Sequence, residues 1–61
     1  MRVHGRGRVG KPIYYRGEFT VCPVWHKDYE DFMVYEKGES HGIFDTLGAA
    51  IEYIRLVERM R

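Results

Sequence analysis

The hydrophobic and polar positions of this chain follow two different spacings. The segment IYYRGEFTVC, residues 13–22, is rich in aromatic and β-branched residues and predicts a first strand. DFMVYE (31–36) and SHGIF (40–44) predict a second and a third strand. Lys37-Gly38 between them predicts a hairpin turn in which Gly38 takes a positive φ. We therefore expect an antiparallel meander of three strands.

From Leu47 onward the spacing becomes that of an α-helix. Apolar residues stand at positions 47, 50, 51, 54 and 57, which places them in one stripe along a helix. Asp45 and Thr46 are both good N-cap residues, and no proline follows them. The pattern predicts one helix that runs to near Met60.

The alternation along the strands assigns their residues to two faces of the sheet. We expect one face to pack against the helix and the other to be covered by nothing in this chain. The expected core consists of Ile13, Tyr15, Phe19, Val21, Phe32, Val34 and Phe44 with Leu47, Ala50, Ile51, Ile54 and Val57. The expected uncovered face carries Tyr14, Arg16, Glu18, Thr20, Met33, Tyr35 and His41.

These elements predict an α+β fold, a three-stranded antiparallel β-meander packed against one C-terminal α-helix, over residues 12–61. Residues 1–11 contain three glycines and no apolar periodicity, which predicts a flexible basic arm. Pro23 cannot donate a hydrogen bond to a sheet, so we expect the first strand to end near Cys22. The following residues 23–29 are then expected to form a loop that contains Trp25.

Composition narrows the class of protein. A chain of 61 residues has room for one small domain. Its apolar runs are far shorter than the roughly 20 residues that cross a bilayer, and its single cysteine excludes an internal disulfide. We expect a soluble, intracellular protein of the cytoplasm with no membrane partner.

Charge is distributed unevenly along the chain. Residues 1–16 carry a net +5, residues 17–45 a net −5, and the net charge of the whole chain is +1. A basic segment of this kind is typical of binding to a polyanion, because flexible cations neutralise phosphates and release counterions. Tyrosines on the uncovered face, and Trp25, add surfaces on which bases can stack. The candidate nucleic-acid-binding residues are Arg2, Arg6, Arg8, Lys11, Tyr14, Arg16 and Tyr35.

The acidic middle of the chain supports a different function. A small phage- or mobile-element-type protein could use an acidic and aromatic surface to bind and inhibit a host protein, with aromatic residues as anchors. The candidate residues for that partner are Tyr29, Asp31, Met33, Tyr35, Glu36 and Glu39. A homodimer formed through Tyr53, Leu56 and Met60, on a second stripe of the helix, is compatible with either function.

Catalytic and metal-binding patterns are weak. No spacing of nucleophile, base and orienting residue can be read from the sequence. Cys22, His26 and His41 are residue types that suit zinc, but they form no CxxC or HxxxH pair. A lone strand cysteine is more typical of a small buried hydrophobe. We expect no enzyme activity, no metal and no cofactor.

Residues 15–61 resemble a known family. Tyr15-Arg16-Gly17, then Gly42-Ile43-Phe44-Asp45-Thr46, then a helix with Ala49-Ala50 and Tyr53, are similar to the plant ethylene-response (Apetala-two type) DNA-binding domain and to related integrase modules. In those families a three-stranded sheet lies in the DNA major groove and the helix supports it from behind. The resemblance implies the same fold and DNA binding through the sheet, with Arg16 among the contacting residues.

Overall fold

A computed structural model describes residues 7–61 and shows an α+β fold. An antiparallel sheet of five strands packs against one C-terminal helix. The α+β class is confirmed, but the sheet has five strands, not the three expected. The elements are β1 (Arg8–Val9), β2 (Tyr14–Arg16), β3 (Phe19–Trp25), β4 (Glu30–Glu36), β5 (Glu39–Phe44) and α1 (Leu47–Arg59). β3, β4 and β5 are consecutive neighbours, and β1 and β2 both pair with the free side of β3.

The predicted first strand is two strands. The chain reverses at Gly17-Glu18, so that Tyr14 pairs with Val21 and Arg16 pairs with Phe19. Gly17 has a φ of +60°, a backbone conformation that glycine adopts without steric cost. The single strand expected over residues 13–22 is therefore wrong, because this glycine makes a hairpin turn.

Pro23 does not end β3, which continues to Trp25. The Pro23 carbonyl accepts a hydrogen bond from the Gly10 amide at 2.8 Å. The backbone N and C=O of Pro23 therefore both point toward the side of β3 that pairs with β1 and β2. The missing N–H of Pro23 therefore falls at the interruption between those two short strands, where the sheet needs no donor. The loop expected to contain Trp25 is a strand, and Arg8 and Val9 of the expected arm form its partner β1.

The hairpin turn changes which residues face the helix. Tyr14 and Arg16 are opposite Val21 and Phe19 and so lie on the helix side, not on the uncovered face as predicted. Ile13 and Tyr15 were expected in the core, but 51% and 69% of their surfaces are exposed. The period of two is correct, but the chain reverses at Gly17-Glu18, so alternation continued through this turn assigns the residues before it to the wrong face.

The register of β5 also differs from the simple alternation expected from the sequence. Its register with β4 shifts by one residue between Val34 and Tyr35, which leaves His41 as an extra residue on β5. The His41 ring lies edge-on to Phe19 at a centroid distance of 5.6 Å. His41 is therefore on the helix side of the sheet rather than on the uncovered side. The hairpin turn before β5 is as predicted, with φ +87° at Gly38.

The helix and most of the core are confirmed. Thr46 is the N-cap, since its side-chain oxygen accepts a hydrogen bond from the Ala49 amide at 3.0 Å. Ala50 and Ile54 of α1 are fully buried against the sheet. The buried cluster comprises Phe19, Val21, Val34, Ala50 and Ile54, with Phe32, Phe44, Leu47 and Val57 packed against it. α1 has 13 residues, and in the described part of the chain no helix is long and apolar enough to cross a membrane.

Candidate nucleic-acid interface

The far end of β3 extends beyond the helix. Pro23 pairs with Phe32, and Phe32 with Phe44, the last strand residue before α1. Trp25 is two residues further along β3 on the same face, so α1 does not cover it. Half of the Trp25 surface is exposed, compared with 3% for Phe19 at the other end of the strand.

The Trp25 side chain lies against the backbone of Gly10. A Cβ atom at Gly10 would lie 2.5 Å from the indole Cη2 atom and 3.0 Å from Cγ of Pro23, which is closer than van der Waals contact allows. Glycine at this position therefore lets the indole rest on the edge of the sheet. The surrounding groove, here called the Trp25 cleft, has a volume of ≈ 580 Å³, which is within the size range of small-molecule ligand sites. It is lined by Val9, Gly10, Lys11, Pro12, Ile13, Pro23 and Trp25.

Two cations border the Trp25 cleft. Arg8 is the direct cross-strand partner of Trp25, and Lys11 lines the cleft. Both side chains are exposed, and neither forms an ion pair within residues 7–61. On the other side of Trp25 its partner in β4 is the exposed Glu30, so the positive charge is confined to the β1 edge. Arg2 and Arg6, which precede β1, lie outside the described residues.

The predicted binding residues on the sheet are not grouped as expected. The Arg16 guanidinium donates a hydrogen bond to Glu58 of α1 at 2.7 Å, and this contact raises the pKa of Arg16. Tyr14 is half-buried and packs against the core. Tyr35 pairs with Thr20 and lies on the face away from α1, here called the open face. Arg16 and Tyr14 therefore help to hold the helix, and Tyr35 is separated from them by the sheet.

A charged network closes the Phe19 end of β3. Arg61 donates two hydrogen bonds to the Glu36 carboxylate, at 2.6 and 3.0 Å. The His41 ring bridges Glu36, at 2.9 Å, and the Tyr53 hydroxyl, at 2.8 Å. The Arg61 hydrogen bonds, aided by His41, lower the pKa of Glu36 to about 2. The network joins β4, β5 and the end of α1, and the sequence pattern missed it because it depends on the bulge at His41.

The residues proposed for a protein partner lie on different sides of the sheet. Asp31, Met33 and Tyr35 share the open face, but Glu36 is on the helix side in the network just described. Tyr29 stacks on His26 with ring centroids 4.2 Å apart, and His26 Nε2 lies 3.0 Å from Asp31 Oδ2 without the alignment of a hydrogen bond. Glu39 is exposed at the start of β5. This set does not form one continuous surface.

The three residues considered for zinc do not converge. Cys22 is buried on the side of the sheet away from α1, whereas His41 lies on the helix side. Burial raises the pKa of the Cys22 thiol, which keeps it protonated. Among residues 7–61 no group of three metal-ligating side chains comes together.

Of the residues expected for self-association, Tyr53 and Leu56 line a second groove, here called the helix cleft, and Met60 does not. The helix cleft has a volume of ≈ 390 Å³ and is lined by Phe44, Ala49, Glu52, Tyr53, Leu56 and Arg59. Tyr53 is half-buried, because its ring also packs against Phe44, whereas 52% of Leu56 and 77% of Met60 are exposed. The helix therefore has an apolar strip that the sheet does not cover.

No protein-family model, curated protein or solved structure matches this chain. The resemblance to the Apetala-two type domain stays a prediction.

Proposed function

We propose that this protein is a non-enzymatic nucleic-acid-binding module that uses the Trp25 cleft and the basic β1 edge. The observation that carries the proposal is the pairing of Arg8 with Trp25 across β1 and β3, with Lys11 in the same cleft. A half-exposed aromatic ring beside two cations offers a base a stacking surface and offers the adjacent phosphates a charge partner.

The pattern of ion pairs supports this location over the open face. Arg16 and Arg61 form short ion pairs with Glu58 and Glu36, so their charge is used within the fold. Arg8 and Lys11 have no such partner in residues 7–61 and can meet a phosphate without breaking an internal contact. Arg2 and Arg6 add two further cations to the chain just before β1. The family resemblance assigns a nucleic-acid contact to Arg16. In this proposal the cations of the β1 edge make that contact instead.

Binding to a labelled single-stranded oligonucleotide and to its duplex tests the proposal. The affinity should fall linearly on a log–log plot against salt, and the Arg8→Gln/Lys11→Gln variant should reduce the slope by roughly 1.4 to 1.8. Trp25→Ala should weaken single-strand binding by about 1–3 kcal/mol. Trp25 is the single tryptophan, so quenching of its fluorescence by the oligonucleotide reports stacking directly.

The matched control removes the same charge elsewhere. Lys37 and Arg55 are exposed and lie away from the Trp25 cleft, so Lys37→Gln/Arg55→Gln should leave the salt slope nearly unchanged. Absence of binding at low salt, or equal effects of the two double variants, would contradict a site at the β1 edge.

Protein binding through the open face is the second candidate. The observation in its favour is that Tyr15 and Ile43, exposed by 69% and 50%, lie on this face with Met33 and Tyr35. A phage- or mobile-element-type inhibitor of a host protein would use such aromatic anchors. Capture of a protein from a nuclease-treated cell lysate, lost in Tyr15→Glu but retained in Trp25→Ala, would favour this function over nucleic-acid binding. Both candidate functions are compatible with the cytoplasmic location expected from the sequence.

A further inference from the structure

We infer that the helix cleft is the contact surface of a symmetric homodimer, in which α1 of one copy packs antiparallel to α1 of a second copy. This interface is separate from the Trp25 cleft, and its test does not depend on nucleic-acid binding. The occupant is identified by charge: the cleft carries one acid and one base, Glu52 and Arg59, in positions that complement themselves under a two-fold rotation.

The helical spacing sets the geometry of this complementarity. Glu52 and Arg59 are seven residues apart, which is within about 20° of two complete turns, so both side chains lie along one line on the helix. They are separated by about 10.5 Å along the helix axis. A two-fold axis perpendicular to α1, between positions 55 and 56, brings Glu52 level with Arg59 of the second copy. The same rotation brings Arg59 level with Glu52 of that copy, so one contact gives two ion pairs.

The apolar residues are placed to fill the centre of this contact. Leu56 lies next to the proposed two-fold axis, so the two copies of this half-exposed side chain would meet each other. Met60, exposed by 77%, lies one turn beyond Leu56 and extends the apolar strip. This arrangement is a polar flank beside an apolar strip, as in other helix pairs.

The existing ion pairs leave these two charges available. Arg59 forms no ion pair within residues 7–61, and Glu52 contacts Arg55 at 3.5 Å with both side chains more than half exposed. An exposed pair of this kind stabilises a helix only slightly, so the exchange of Arg55 for Arg59 of a second copy costs little. A different protein with a surface of only one sign of charge would place a like charge opposite either Glu52 or Arg59.

Sedimentation velocity of full-length charge-reversal variants tests the dimer. The wild type should sediment as a concentration-dependent dimer. Glu52→Arg and Arg59→Glu should each reduce dimer affinity by about tenfold or more, because each single change turns both ion pairs into like-charge pairs. An equimolar mixture of the two variants should recover the dimer, since one chain then carries two bases and the other two acids.

The controls separate loss of the interface from loss of the fold. Circular dichroism should show equal helix content in all variants, because both positions are exposed. Lys27→Glu changes the net charge as Arg59→Glu does, but outside the helix cleft, and should leave the dimer intact. A wild type that remains monomeric at high concentration would overturn the inference. So would single variants that still dimerise, or a mixture that stays monomeric while both variants are folded.

Discussion

The two ends of β3 face the same side of the sheet but are built differently. At one end Phe19 is buried beneath the end of α1, with the Arg61 guanidinium 5.7 Å from its ring centroid. At the other end Trp25 is half exposed, and its indole ring packs against the Gly10 backbone. Both aromatic residues continue one alternating row of β3, so the difference comes from where the helix lies and not from the strand.

Charge follows the same division. Around Phe19 the acids and bases are paired, as Arg61 with Glu36 and Arg16 with Glu58. Around Trp25, Arg8 and Lys11 lack such a partner within residues 7–61. Paired charges fasten the helix to the sheet, and unpaired charges remain available to a ligand. This small domain is therefore closed at the Phe19 end of β3 and open at the Trp25 end.

Loss of a buried side chain should have the largest effect. Ile54→Ala removes a fully buried residue and should lower the free energy of unfolding by about 2–5 kcal/mol, measured by urea denaturation. Trp25→Ala should cost no more than about half of that, because half of the indole is already in water.

A milder substitution at Ile54 allows the free energy of unfolding to be measured even if Ile54→Ala does not fold. If Ile54→Ala is largely unfolded in water, Ile54→Val should still fold and lose about 1 kcal/mol. Equal losses in Trp25→Ala and Ile54→Ala would show that the Trp25 end is part of the core and would remove the distinction between the two ends.

Two glycines should respond to the same substitution with opposite signs. Gly10→Ala brings a methyl group against the indole and should cost about 1 kcal/mol while shifting Trp25 fluorescence. Gly48→Ala meets no atom within 4 Å and lies in the first turn of α1, so it should stabilise by up to about 1 kcal/mol. Unchanged Trp25 fluorescence in Gly10→Ala would mean that the indole does not rest on that backbone.

Acid should weaken the closed end selectively. The pKa of Glu36 is lowered from 4.5 to about 2 by Arg61, so below pH 4.5 the unfolded chain binds a proton that the folded chain does not. The stabilisation from Glu36 is complete above pH 4.5 and is lost as the pH falls toward 2. Glu36→Gln should therefore show a flatter fall in Tm over that interval than the wild type. Parallel Tm curves for the two proteins would indicate that the network does not contribute to folding.

The sequence predicted the parts of the fold that depend on local periodicity. The spacing of apolar residues from Leu47 gave the helix and its buried face, and alternation in DFMVYE gave β4. Lys37-Gly38 gave the turn before β5, since the glycine requirement there is local. Alternation, however, assigns faces only while the direction and register of the chain are known.

A local turn, a shift in strand register and contacts between distant residues decided the rest, which includes most of the candidate site. The turn at Gly17-Glu18 placed Arg16 under the helix, and the bulge at His41 placed that ring between Glu36 and Tyr53. By itself, the sequence determined the helix, its amphipathic stripe and the presence of a basic segment. The tertiary structure decided which arginines are paired within the fold and that Trp25 is adjacent to Arg8. The physical reason is that period and propensity are properties of neighbouring residues, whereas strand register and ion pairing depend on contacts between distant ones.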